Sequence, residues 1–374
     1  MTSVYRALFC DLRTDQVRDA FPISSVSIED YIGKTGTLTA TLTAPDHDTA
    51  ERVRTAVIPG RTAVWIERDR AIWWAGIVWT AALSSTDRGI PAQAEIQAAT
   101  FDSYLDHRLL TADLTATNLD QLETARRLLA FAQDAEGGDI GIRTTTQTSG
   151  VARTRKYSRY DLPKLRDLLD KLAATDNGFE WRIRCYRDTD GERVKELQLG
   201  YPRITTSSTD TDTVLNFPGP IASYRFPYDA TTRATHWRSR GATNSTSQRP
   251  LMSAALYIPG AIEEGWPRLD GTSDYTTVTS KTVIDQHATA DLREAWNRTT
   301  VPEITVNLDA AALTPAILGA TVRLRIADVW ADQLTGRYRV VGFTVRAPES
   351  GQPESASLLL DAATSSVADQ GDDD

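Results

Sequence analysis

Cysteine is close to absent from this chain: Cys10 and Cys185 are the only two among 374 residues. Two thiols allow at most one disulfide and no cysteine metal cluster, which suits synthesis in a reducing cytoplasm. Histidine is nearly as scarce. His47, His107, His236 and His287 lie far apart, and none has the helical two-histidine spacing of a zinc site. There is no Gly-x-Ser-x-Gly elbow and no phosphate-cradling glycine loop ending in Lys-Ser or Lys-Thr. Long uncharged apolar runs are missing too, and with a mean hydropathy of −0.34 no membrane span is expected. The stretch from Met1 to Asp11 lacks the basic start and apolar run of a signal peptide, which argues against classical secretion. Positive charge is in deficit: 41 Lys and Arg against 50 Asp and Glu leave a net −9. That balance disfavours holding nucleic acid by its phosphates.

The candidates for chemistry that remain are thin. His107, in Asp106-His107-Arg108, has the makings of a carboxylate-oriented base but reads first as an exposed histidine in a polar connector. Asp188-Thr189-Asp190-Gly191 opens like a calcium loop, yet lacks a third acidic ligand and the distant glutamate, so a hairpin turn is expected. Glu263-Glu264 is a carboxylate pair in a loop rich in glycine and proline, where solvated charge is the default. The basic run from Arg153 to Tyr160 reads as a solvated strand or an inter-subunit salt-bridge face. No catalytic, cofactor-binding or metal-binding residue is assigned, no cofactor is expected, and the chain is not expected to be an enzyme.

What the sequence does have is strand alternation and tryptophan. Val4 to Leu12 and Val26 to Leu42 alternate, and Thr37 to Thr43 has a clean period of two. Four of the nine tryptophans, Trp65, Trp73, Trp74 and Trp79, fall on a predicted hairpin around Glu67-Arg68-Asp69-Arg70. On its return strand Trp73, Ala75, Ile77 and Trp79 are expected to face one way and Ile72, Trp74, Gly76 and Val78 the other. Both faces are apolar, so one needs a cover, and these four tryptophans are the candidate subunit interface. The region has a faint copy near the C-terminus. Gly60 to Ile66, Trp74 to Trp79 and Ala94 to Ala98 are echoed by Gly319 to Leu324, Val341 to Val345 and Ala356 to Leu360.

Between the copies the period changes. Leu119, Leu122, Ala125, Leu129 and Ala132 predict a helix with Asn118 as N-cap, and a second helix is expected from about Asp161, with Leu165, Leu168, Leu169 and Leu172 inward. A strand from Phe179 to Tyr186 and its partner from Val194 to Leu199 complete a small α/β unit. A third helix is expected from Ile284 to Arg298. The division read from these patterns is a first β-module over 1–110 and an α/β insert over 111–215. A second β-module takes 216–245 and 300–362, interrupted by a helix-containing insert over 246–299, and an acidic disordered tail over 363–374 follows.

The order of these elements resembles the tail-tip or baseplate hub proteins of tailed bacteriophages, also called minor tail proteins, notably of actinobacterial phages. The resemblance rests on Val64 to Arg68 with Trp74 to Trp79, on Tyr157 to Asp161 with Gly178 to Trp181, and on Asp229 to Thr235. It continues through Ala290 to Pro302, Glu303 to Val306, Leu318 to Val322 and Arg339 to Gly342. It implies a mainly β fold with α/β inserts, in which two related β-barrels per chain let a homotrimer imitate six-fold geometry. The implied partners are a distal tail or tail tube protein, a tape measure protein and tip or fibre proteins, with DNA passing through the lumen without specific binding. The implied place is the virion tail tip, after synthesis in the host cytoplasm. The alternatives are another β-rich tail component, such as a distal tail or fibre protein, or a tail-tip protein that cuts cell wall or binds carbohydrate.

Overall fold

Alternating residues do become strands, and they join one sheet that runs through both ends of the chain. A computed structural model describes residues 3–85, 89, 91–175, 177–205, 213–227, 230–244, 246–276, 278–296, 301–311, 313–349 and 351–362. The expected acidic tail lies outside the described residues. So do Asp176, Asp229, the span 206–212 and the end of the third helix beyond Trp296.

The chain begins with β1 (Tyr5–Asp11), β2 (Val17–Pro22), β3 (Ser24–Tyr31) and β4 (Thr37–Ala44), then α1 (His47–Ala56). Next come β5 (Thr62–Arg68), β6 (Ala71–Ser84) and β7 (Ala92–Thr100). The α/β insert holds β8 (Leu114–Asp120), α2 (Gln121–Gln133), β9 (Ile142–Thr144), β10 (Ala152–Tyr157), α3 (Leu165–Ala173), β11 (Glu180–Arg187) and β12 (Arg193–Gly200). After β13 (Thr213–Phe217) and β14 (Ile221–Arg225), a separate compact unit spans Arg225–Pro302. It contains β15 (His236–Thr243), β16 (Pro250–Met252), β17 (Leu256–Tyr257), β18 (Asp270–Asp274) and α4 (Lys281–Trp296). The chain returns to the first unit with β19 (Glu303–Asn307), α5 (Leu308–Ala311), β20 (Thr321–Asp328), β21 (Ala331–Arg346) and β22 (Ser355–Ala362).

The suspected internal copy is a duplication of strand order. One half of the sheet runs β3-β4-β7-β6-β5-β1 and the other β14-β19-β22-β21-β20-β13. Both return strands carry a bulge just after a valine. On β6 it lies between Val78 and Thr80, opposite Ala98 and Gln97; on β21 it lies between Val340 and Gly342, opposite Leu360 and Leu359. Ahead of each hairpin stands a glycine in the left-handed region, Gly60 (φ +73) and Gly319 (φ +88), where a side chain would be strained. The N–H of Gly60 donates to the Val78 carbonyl at 2.7 Å, and that of Gly319 to the Val340 carbonyl at 2.8 Å. The other sequence match, Gly76 with Gly342, does not hold. The register makes Thr80 the counterpart of Gly342, and Gly76 falls before the bulge. One pairing differs between the halves: β1 is antiparallel to β5, whereas β13 is parallel to β20.

The expectation of two β-barrels is corrected. The sheets are not closed, because β3 of the first half pairs with β21 of the second, from Gly342↔Tyr31 to Arg346↔Ser27. That contact takes the edge through which the first half would close on itself. The result is a single 13-stranded sheet whose longest path runs from β2 to β14 among the described residues. The seam has side-chain ties as well. Trp74 Nε1 donates to the Glu29 carbonyl at 2.8 Å, and Trp73 meets Phe343 edge to face at 6.1 Å. Arg68 of β5 grips Glu354, which precedes β22, through Nε at 2.7 Å and Nη2 at 2.5 Å.

The α/β insert covers one face of the first half. Leu8, Cys10, Ala63, Trp65, Ala75 and Ile77 from the sheet share a core with Leu122, Leu129, Leu165, Leu172, Trp181 and Ile183 from the insert. The α3 stripe is buried as its spacing predicts. The caps differ from expectation. Asp120, not Asn118, caps α2, its carboxylate accepting the Leu122 N–H at 2.8 Å, while Asn118 lies on β8 with φ +47. Before α3 the chain makes only a 3₁₀ turn at Arg159–Asp161; it ends at Leu162 in the left-handed region (φ +41), because the following Pro163 disfavours the right-handed helical conformation there, and the helix starts at Leu165.

Charge is also buried at this junction. Arg166 on α3 pairs with Asp102, donates to Thr35 Oγ1 at 2.8 Å and lies over the Trp181 ring at 4.7 Å, while Arg182 reaches Asp30 at 3.3 Å. Burial pushes Asp30 above the ordinary carboxylate range, with Arg182 opposing it. Both cysteines are free, Cys10 buried and Cys185 half-buried. Burial pushes the Cys10 thiol up to about 11. At pH 8 only about one Cys10 in a thousand is then thiolate, the reactive form. Cys10 is accordingly expected to resist a thiol reagent in the native protein and to react at once in guanidinium. Fast native labelling at Cys10 would show that the insert does not seal this face.

Candidate functional site

The residues singled out for chemistry do not converge. His107 is exposed at the end of a 3₁₀ turn and stacks on Trp79 at 4.3 Å. His236 stacks on Tyr257 and His287 on Tyr275. Glu263 and Glu264 are exposed in a turn of the separate unit. Asp188 does what a hairpin-turn aspartate does: its Oδ1 accepts the N–H groups of Asp190 at 3.1 Å and Glu192 at 2.9 Å, and Gly191 takes φ +82. No group of three or more His, Cys, Asp or Glu able to hold a metal ion occurs among the described residues. A shallow cleft of about 570 Å³ between β2 and α1 is lined by Arg18, Asp19, Asp48, Glu51 and Arg52. Both of its arginines are engaged: Arg52 pairs with Asp19 at 2.6 Å and Arg18 with Asp11 at 2.7 Å.

The basic run from Arg153 to Tyr160 starts on β10, which pairs with β8, and ends in the 3₁₀ turn at Arg159–Asp161. Arg153 Nε donates to Gln121 Oε1 at 2.8 Å, and Arg159 lies over the Tyr160 ring at 4.9 Å. Tyr160 and Leu162 beside it are exposed. This is a mixed surface whose cations are partly committed to neighbours within the chain.

The four tryptophans expected at a subunit interface are placed differently from one another. Trp65, Trp73 and Trp74 are all buried within the chain, and Trp79 is half-buried, its Nε1 donating to Ser103 Oγ at 2.9 Å. The face assignment also changes. A bulge at Trp73, where Ile66 pairs with Trp74 and Glu67 with Ile72, breaks the alternation. Ile72 therefore joins Ala75 and Ile77 under the insert, while Trp73 turns to Phe343 on the other side. The chain covers its own two-sided apolar hairpin, with the insert on one face and the second half of the sheet on the other.

The large apolar groups left outside lie elsewhere. Val329 and Trp330 form the tip of the β20–β21 hairpin and are 95% and 87% exposed, and Leu83, near the end of β6, is 62% exposed. Sequence reasoning passed over these. An apolar Val-Trp pair between Asp328 and Ala331 is unusual for a two-residue turn, where polar residues and glycine dominate, and that was the available signal. Leu83 carried none, because an alternating strand does not say which of its ends is covered.

No protein-family model matches the sequence, and no curated protein matches it either. Solved structures do share its fold. The tail protein from Neisseria meningitidis MC58 superposes with a TM-score of 0.60 at 11% identity, covering 96% of each chain. The 43 kDa tail protein of prophage MuSo2 from Shewanella oneidensis gives 0.60 at 10% identity, over 96% of this chain and 97% of its own. Prophage tail protein gp18 from Listeria monocytogenes gives 0.51 at 10% identity, over 97% and 96%. What such distant chains share is a fold, mainly β with an α/β insert, over nearly their whole length. Their sources lend no support to the actinobacterial origin that the sequence resemblance implied.

Proposed function

We propose that this chain is a structural component of a phage-type tail, acting as a homotrimeric hub at the tail tip. In that role it joins the six-fold rings of a distal tail or tail tube protein to a three-fold tip. One observation carries the reading: strand order, bulge and glycine–valine contact are each present twice in one chain. Three such chains present six nearly equivalent sheet units, which is what a junction between six-fold and three-fold symmetry requires. The likeness in fold to phage tail proteins supports the setting, a virion tail assembled in the host cytoplasm. A tape measure protein and tip or fibre proteins would be the further neighbours. DNA would pass through the ring, and the net charge of −9 favours passage without retention. The duplication also speaks against a distal tail or fibre protein, for which one copy of the sheet unit would serve.

Native mass spectrometry and electron microscopy of the purified chain test this directly. The expected particle contains three copies in a ring with six similar lobes. A hexamer, or a ring whose lobes do not match in pairs, would end the hub reading and favour a distal tail component.

A further inference from the structure

The two halves of the sheet are not equally covered. Past the bulge of β21, Phe343 is 2% exposed and Val345 fully buried, with β3 paired along this segment. Registered on the bulge, their counterparts on β6 are Ala81 and Leu83, half-buried and 62% exposed. The pairing of β6 with β5 ends at Ala63↔Ile77. From Thr80 to Ser84, β6 pairs with β7 on one side and with no strand on the other, among the described residues. The counterpart of β3 in the second half is β14, and β14 ends the sheet. Its residues Ala222 and Ser223 are exposed. Each chain thus has one strand end lacking the cover that β3 gives within the chain, and one strand equivalent to β3 placed at an edge.

We infer that β14 of one copy adds antiparallel to Thr80–Ser84 of β6 in the next copy, repeating between chains the β3–β21 pairing made within each. The inference rests on the trimeric reading only for the number of copies that closes the ring. The backbone is set for it. Ile32 N–H donates to the Val341 carbonyl at 2.9 Å, so the polar groups of Val341, Phe343 and Val345 face β3 by the two-residue alternation of a strand. The equivalent groups on β6 are those of Trp79, Ala81 and Leu83, and these face outward. The edge is also undefended. Thr80-Ala81-Ala82-Leu83-Ser84 has neither charge nor proline, whereas β2, at the other end of the sheet, carries Arg18, Asp19 and Pro22. Sheet edges that must stay single are usually blunted by charge or proline. Beside this edge a groove of about 250 Å³, lined by Leu42, Val53 and Leu83 together with His47, Glu51 and Arg54, offers mixed apolar and polar contact to the added strand. Because β6 and β14 are unlike surfaces, the contact is heterologous and closes into a ring when the rotation per copy permits.

The test compares the wild-type chain with Leu83→Pro, which removes an outward N–H at a position where an edge strand tolerates proline. Leu83→Lys is the second variant, because it keeps the backbone intact. Native mass spectrometry and amide hydrogen exchange are the readouts. In the wild-type assembly the outward amides of Trp79, Ala81 and Leu83, and the amides of 221–223 that face away from β19, are expected to gain protection over the monomer. Both variants should fold, as judged by unchanged unfolding midpoints of the monomer, lose that protection and assemble at least about tenfold more weakly. Trimers whose 79–84 amides exchange as freely as in the monomer would overturn the strand pairing and leave the trimeric reading standing. Protected strands in dimers or open filaments would uphold the pairing and overturn the three-fold reading. A wild-type chain that stays monomeric at every concentration overturns the pairing.

Discussion

Replacing Arg68 by alanine is expected to cost about 3–5 kcal/mol of stability, while Glu354→Ala costs markedly less. The asymmetry follows from what each change leaves behind. The Glu354 side chain is 2% exposed, and its carboxylate accepts from Arg68 and from the Tyr5 hydroxyl. Without Arg68 it is a buried anion with one neutral donor, which is among the more costly states in a protein interior. Arg68 is 13% exposed and has other anions at hand, Asp309 at 3.1 Å and Asp69 at 3.8 Å. Without Glu354 it turns to them. The pair also holds Tyr5: burial and the adjacent carboxylate raise its phenol well above the ordinary range, so the hydroxyl remains a donor at every pH at which the protein is handled. Guanidinium unfolding of the two single variants and the double variant measures this. Equal losses below about 1 kcal/mol would mean that the pair is solvated and that the seam between the halves is held by the β3–β21 ladder and the contacts of Trp73 and Trp74.

Trp65→Ala is expected to remove about 3–5 kcal/mol from the isolated chain, before any question of assembly arises. The ring is fully buried and packs on Phe101 at 5.8 Å. Its Nε1 donates to Asp15 at 3.0 Å, and the Arg193 guanidinium lies 5.7 Å from its centroid. Truncation leaves a cavity between sheet and insert and strips Asp15 of one donor. The half-buried Trp79 should cost less when truncated, since its stacking partner, His107, is itself exposed. A tryptophan reserved for a neighbouring subunit would behave in the opposite way, sparing the monomer and weakening only the assembly. Unfolding midpoints at low protein concentration, read beside native mass, separate the two. A Trp65→Ala chain as stable as wild type but unable to assemble would restore the tryptophans as the contact surface.

Local elements were legible where one periodicity had one cause. The period-two run from Thr37 to Thr43 became β4, with alternate residues buried, and the leucine stripe of α3 is buried as spaced. The hairpin turn falls at Asp69-Arg70, both with positive φ, inside the predicted four residues. By contrast α1 was missed. It buries only Val53 and Ala56, so it leaves no apolar stripe, and its one clear signal is Asp46, whose carboxylate accepts the Thr49 N–H at 2.7 Å. The faces of β6 were misassigned because a bulge inserts a residue, and nothing in an all-apolar run marks where alternation skips.

The sequence by itself determined that this chain would be mainly β and would use one hairpin device twice. Those properties follow from residue type and short-range order: alternation, and a glycine where φ must be positive. Only the tertiary structure decided that the two halves merge through β3 and β21 instead of closing separately, and that Trp65, Trp73 and Trp74 lie inside while Leu83 and Trp330 lie outside. Strand partners far apart in the chain are chosen by which edges remain unsatisfied once every nearer pairing is made, and that is a property of the assembled sheet that no local stretch of sequence carries.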